Sequence, residues 1–157
     1  MSQDNDPLHA IEKMAVNEDL VGDLYGFYAQ EFPEHRRFWE DLVAEERKHA
    51  KILRGLRDMM EQGGDIQYNE KFSVQAIDFV MNYVQREIES VKRKKPSLLA
   101  VLSIAKDLED SLIERSYFDV VQGGTSKLQL IFARLVQDSK MHRGIIQAML
   151  REQQSAG

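Results

Sequence analysis

Glu46 and His49 stand three residues apart in the run Glu46-Arg47-Lys48-His49, a spacing that puts both side chains on one face of a helix. A carboxylate beside an imidazole can form an ion pair, pass a proton or ligate a metal. The rest of that face is apolar, with Phe38, Leu42, Leu53, Leu56 and Met60 recurring at helical steps. Three other ionisable residues interrupt apolar stripes in the same way. Glu18 falls among Ile11, Met14, Ala15, Val21, Tyr25 and Tyr28. Glu109 falls among Val101, Ala105, Leu108, Leu112 and Val120, and His142 among Leu128, Ile131, Leu135, Ile145 and Met149. An ionised carboxylate buried alone is prohibitively costly, so such groups pair, neutralise or bind a metal. A carboxylate helix followed by a carboxylate-plus-histidine helix, given twice, is how a four-helix bundle builds a di-metal site. The second copy is incomplete, because Ser139 stands where its glutamate would be.

Glu18, Glu46, His49, Glu109 and His142 together offer oxygen and nitrogen donors, a set that suits iron or manganese, and zinc where the geometry is tetrahedral. Tyr25 and Tyr117 follow Glu18 and Glu109 by about two helical turns. Either could face the site and hydrogen-bond a carboxylate, which would orient a ligand. A lone Glu-x-x-His arises by chance in about one chain in five of this length, so the conjunction carries the argument. His9 in a first helical turn, and His35 beside Arg36 and Arg37, read as solvated. Phe32, Phe38 and Trp39 read as bundle-end packing or a dimer contact.

Five helices are needed to position these residues, over about 7–32, 34–61, 73–95, 97–122 and 125–152. Pro7 suits a first turn, and Pro33 biases Phe32 out of the helical region. Gly63-Gly64 and Gly123-Gly124 mark stops, and Ser73, Ser97 and Thr125 mark starts. The tail from Gln153 is expected to fray. The third segment alone has an uninterrupted apolar face, of Ile77, Val80, Val84, Ile88 and Val91. The expectation is an all-α single domain over 1–157: a bundle of segments one, two, four and five, with the third as a long crossover between two hairpins.

The composition narrows the function. The chain of 157 residues is 43% hydrophobic, with nine glycines, three prolines and no cysteine. Disulfides, thiol nucleophiles and cysteine-ligated iron or zinc centres are thereby excluded. A net charge of −5 argues against non-specific nucleic-acid binding. The one basic run, Lys92-Arg93-Lys94-Lys95, lies where a helix ends and complements its dipole. The polar N-terminus is no signal peptide, and the longest uncharged stretch, Ser97 to Ala105, is too short to span a membrane. These features predict a cytoplasmic protein.

The chain resembles the ferritin-like superfamily, and within it the rubrerythrin-type di-iron proteins, over essentially its whole length. The resemblance rests on Asn17-Glu18, Tyr25, Phe32-Pro33-Glu34, Glu45-Glu46-Arg47-Lys48-His49-Ala50, Leu108-Glu109, Tyr117 and Met141-His142-Arg143. It implies that Glu18 and Glu109 are terminal carboxylates, one for each metal, that His49 and His142 each add a nitrogen, and that Glu46 bridges. Asp138, four residues before His142, is the candidate replacement for the bridge that Ser139 cannot supply. The family often carries a further glutamate where this chain has Leu112, so a redox-dependent ligand swap is not expected. Without cysteine there is no rubredoxin iron, and electrons would come from an external donor or from ferrous iron. The resemblance further implies a homodimer, and oxidation of Fe(II) by peroxide or dioxygen. Two other readings use the same residues: a bundle without redox activity that serves as a binding or structural module, with one metal or none, and a metal-dependent hydroxylase with its own substrate pocket.

Overall fold

A computed structural model describes residues 6–63, 66–68, 74–114, 121–123 and 126–157, without the side chains of 66–68, 112–114, 121–123, 126 and 128. The fold is built from five helices: α1 (Pro7–Glu31), α2 (Arg36–Glu61), α3 (Val74–Arg93), α4 (Leu98–Glu114) and α5 (Ser126–Ala156). Local chemistry sets several of the ends. The Asp6 carboxylate accepts a hydrogen bond from the Leu8 amide at 3.0 Å, with Pro7 in the first turn. Pro33 follows Phe32 and turns the chain through the 3-10 turn Pro33–His35 into α2. Gly63 adopts φ 130°, a conformation that side chains resist, just beyond α2. The Ser97 hydroxyl accepts from the Ala100 amide at 3.1 Å and caps α4. Arg93 Nε donates to the Glu89 carbonyl at 3.3 Å, so the basic run serves the end of α3.

Side-chain pairs give the helix directions. Glu12 pairs with Arg54 and Arg57, while Asp19 and Asp23, further along α1, pair with Arg47. α1 and α2 are therefore antiparallel. Lys13 bonds Asp78 at 2.7 Å, and Lys92 sits over the Phe27 ring at 5.2 Å, so α3 runs parallel to α1 and packs along it. The face expected to be clean is the one that is buried, from Val74 through Ile77, Val80, Val84 and Ile88 to Val91. α3 thus carries the chain back along the α1–α2 hairpin before α4 begins. α4 packs against α5, and one apolar cluster draws on all five helices. No helix among the described residues is long and apolar enough to cross a membrane.

Several expectations need correction. α4 is described as far as Glu114, and residues 121–123 form a strand, so the helix does not run to 122. That strand, β2 (Val121–Gly123), pairs antiparallel with β1 (Ile66–Tyr68), placing Ile66 opposite Gly123. A three-residue strand is too short to show alternation, and its partner comes from the distant segment after α2. α5 continues to Ala156 instead of fraying at Gln153, whose amide donates to Met149 Sδ at 3.8 Å. Ile146, not Ile145, lies in the core, because the stripe steps by four from His142. Trp39 is fully buried against Tyr25, Tyr28 and Phe38, with ring centroids 5.0–5.6 Å apart. It packs the end of the bundle and is not available to a second chain. The starts expected at Ser73 and Thr125, and Val120 on the fourth stripe, fall outside the described residues.

Truncating α3 tests its share of the core. Ile77→Ala should cost about 2–5 kcal/mol in urea-induced unfolding, whereas Asn82→Ala on the exposed face of α3 should stay within about 0.5 kcal/mol.

Candidate metal centre

The five residues that interrupt the apolar stripes converge. Glu18 on α1, Glu46 and His49 on α2, Glu109 on α4 and His142 on α5 are each at most 1% exposed. Helical periodicity alone points each one inward, and the four helices close around them. They form two overlapping groups, Glu18–Glu46–His49 and Glu46–Glu109–His142, and within each group one donor atom per residue lies within 4.8 Å of the others. Glu46 belongs to both. His142 Nδ1 lies 3.1 Å from Glu46 Oε1 and 3.9 Å from Glu109 Oε1, while His49 Nδ1 lies 3.5 Å from Glu46 Oε2. The two imidazoles stack with centroids 5.2 Å apart and planes 20° from parallel.

Proximity here is not hydrogen bonding. Both Glu18 oxygens, Glu46 Oε1, His49 Nδ1 and both His142 ring nitrogens are buried without a hydrogen-bond partner of acceptable geometry. Buried polar atoms are nearly always satisfied, so a group of orphans facing one another needs explaining. Oxygen and nitrogen donors without sulfur, held at this separation, fit a metal ion. The groups Glu18–Glu46–His49 and Glu46–Glu109–His142 could each hold one.

The carboxylates divide electrostatically. Burial, reinforced by the charge on Glu46, raises Glu18 and Glu109 well above the ordinary carboxylate range. Burial would raise Glu46 as well, but His142 and His49 outweigh it and bring its pKa down to about 2. His49 is lowered by burial yet raised further by Glu46 and Asp138, for a net rise. Without metal, Glu46 is thus favoured as the anion beside both histidines, and burial pushes its two carboxylate neighbours towards their neutral forms.

Around this core sits a second set of contacts. The Tyr25 hydroxyl donates to Glu109 Oε1 at 3.0 Å, and burial followed by Glu109 raises its pKa well above the ordinary phenol value. Asp138 Oδ2 stands 3.3 Å from His49 Nε2. As acceptor of the Nε2 proton it would free Nδ1, the nitrogen on the Glu46 side, to ligate a metal. Asp138 belongs to neither donor group around Glu46. It stands one residue off the inward face, a turn of about 100°, and meets the outer nitrogen of His49. Glu45 mirrors it, with Oε2 4.0 Å from His142 Nε2. Reasoning from the apolar stripe left Glu45 out of the site, yet it groups with His49 and His142; its place beside Glu46, like that of Asp138 beside Ser139, was the available signal. Tyr117 and the Leu112 side chain lie outside the described residues.

Comparison with protein-family models, curated proteins and solved structures finds no match in any of the three. The functional reading therefore rests on the geometry. A groove of about 630 Å³ runs between α1, α2 and α3, lined in part by Gly22, Gly26, Phe27, Arg47 and Lys92. None of the five buried ionisable residues lines it.

The charge division gives a pH dependence to metal-free protein. Burial favours the protonated forms of Glu18 and Glu109 in the fold, whereas the unfolded chain loses those protons above about pH 4.3. Their raised values therefore stabilise the fold most at low pH, and that stabilisation fades as pH rises. His49, also raised, acts in the same direction, while the contribution of Glu46 is already complete above its ordinary range. Unfolding free energy of metal-free protein should fall from pH 5 to pH 8, with a slope approaching about 1.4 kcal/mol per pH unit for each retained proton. Glu18→Gln should flatten it, as denaturant titrations at several pH values would reveal.

Proposed function

We propose that the chain is a rubrerythrin-like di-iron carboxylate protein with a ferritin-like bundle, oxidising Fe(II) with peroxide or dioxygen. The observation that supports this most is the sharing of Glu46 between two buried carboxylate–histidine groups. Glu18, Glu46 and His49 would hold one metal, and Glu109, Glu46 and His142 the other. A pair of ferrous ions held there would supply two electrons, which with two protons from solvent suffice to reduce one peroxide to two waters.

The residues of the chain do the rest. Glu46 ties the halves together, so that loading one prepares the other. Asp138 orients the His49 ring, and Tyr25 holds Glu109 by its Oε1. Glu18 and Glu109 give up protons as they ligate, which makes loading proton-coupled. Tyr28, Leu53, Leu102 and Leu108, all buried, contribute to a dry surround that limits side reactions. With no cysteine, no thiolate-bound iron relays electrons within this chain, so reduction falls to an external donor or to ferrous iron.

A second reading has specific support: a bundle without redox activity, acting as a binding or structural module. Glu46 lies close to both histidines, and Ser139 brings no carboxylate. Internal ion pairs could then satisfy the core, with one metal or none.

Metal content separates the two. Protein from iron-supplemented cultures should carry between one and two irons per chain by elemental analysis. Glu46→Ala should lose them with an unchanged helical circular dichroism spectrum; iron-free wild type would favour the module. Anaerobic Fe(II) titration should show unequal affinities, with the Glu18–Glu46–His49 half filling first, because Asp138 approaches His49 more closely than Glu45 approaches His142. Two equal tight sites would contradict this order. Asp138→Asn should weaken the first ion about 10–100-fold, the usual cost of losing a carboxylate behind a histidine ligand.

A further inference from the structure

The serine that interrupts the second half-site has a defined structural counterpart. Asp138, Ser139 and His142 on α5 repeat the spacing of Glu45, Glu46 and His49 on α2. The two sets also reach across to each other. Asp138 meets His49 Nε2 at 3.3 Å, Glu45 meets His142 Nε2 at 4.0 Å, and the two rings stack between them. Under this exchange Ser139 is the mate of Glu46, and like it Ser139 is buried, at 2% exposure. One inward position therefore carries a bridging carboxylate, and its mate carries a hydroxymethyl group.

Charge makes the difference consequential. Two divalent ions bring four positive charges, against three carboxylates from Glu18, Glu46 and Glu109. An uncompensated charge in a buried site is costly. Asp138 is engaged with His49, and Glu45 stands on the outer side of His142, more than a third exposed. Neither is placed to supply the fourth negative charge between the ions. What a glutamate has beyond a serine is, in size and charge, close to a small carboxylate ion.

We propose that the position at Ser139 is completed by an external small carboxylate such as formate or acetate, so that tight binding of the second metal depends on that anion. This rests on the di-metal reading and deepens it. The anion brings the missing charge and two oxygens on one carbon, as a glutamate would.

The test uses full-length, metal-stripped protein titrated with Co(II), with bound metal measured by equilibrium dialysis and coordination followed by visible absorption. Titrations in chloride are compared with titrations in formate, and in acetate, at equal ionic strength. Wild type should bind one ion tightly in chloride, and formate or acetate should tighten the second about tenfold or more, since losing a mere outer partner of a ligand already costs about 10–100-fold. Ser139→Glu should bind two ions tightly with no response to formate. Ser139→Leu should keep the first ion and lose the response. Should Ser139→Glu fail to fold, as judged by circular dichroism, wild type and Ser139→Leu still decide. A second ion indifferent to formate and acetate, or two equal tight ions in chloride, would overturn the anion proposal and leave the metal site standing. No cobalt bound under any condition would overturn the metal site itself.

Discussion

Three carboxylates and two imidazoles packed into a dry helical core form an arrangement that cannot be neutral in effect. Each is at most 1% exposed, and water cannot help them. Without metal, the protein settles the conflict by division of charge: Glu46 stays ionised between two histidines, while Glu18 and Glu109 are pushed towards their neutral forms. This is a workable state but a poor one, since six donor atoms of the cluster lack hydrogen-bond partners. A pair of cations would turn the same atoms from liabilities into ligands. The site is better suited to holding charge than to being left without it.

The surrounding fold keeps that conflict from spreading. α1 is buried on several sides, and its small residues Ala10, Ala15, Gly22 and Ala29 are among those enclosed. Gly22 lets the Arg47 guanidinium lie close against α1, since a β-carbon there would come within 3.3 Å of it and the arginine would have to give by a few tenths of an ångström. Arg47 in turn reaches Asp19 and Asp23 on the outer side of α1. Such half-exposed ion pairs are individually worth about 0–1 kcal/mol. Their value lies in register: they hold Glu18 and Glu46 level with each other. At the bundle end, Tyr25 links two systems, bonding Glu109 with its hydroxyl and packing its ring on Trp39.

Much of this was legible in the sequence, for a physical reason. A carboxylate or histidine within an apolar stripe is conspicuous because helical periodicity already says it points inward, so Glu18, Glu46, His49, Glu109 and His142 could be singled out before their neighbours were known. What the apolar stripes did not resolve depended on finer angles or on distant partners. Asp138 is one residue from the inward face, and one residue of helix separates a ligand from the partner of a ligand. Ile145 and Ile146 differ by the same rotation. Trp39 read equally as bundle-end packing or a dimer contact, and only its burial against Tyr25 and Tyr28 decides for packing. The strand at Val121–Gly123 could not be read locally, because it forms by pairing with the distant Ile66–Tyr68.

The span of the donor set along the chain has a consequence for how the protein comes to be built. Glu18 and His142 stand near opposite ends of the sequence, and Glu46 must meet both. The α1–α2 hairpin can close early, since its connection is short and its contacts are local. It brings only Glu18, Glu46 and His49 together. Glu109 and His142 lie beyond α3, so bringing them to Glu46 requires closing much longer loops. The complete set of donors therefore exists only once the last helix has docked. Metal uptake would then mark finished molecules, and a chain stalled after its first half could hold at most a single, exposed ion.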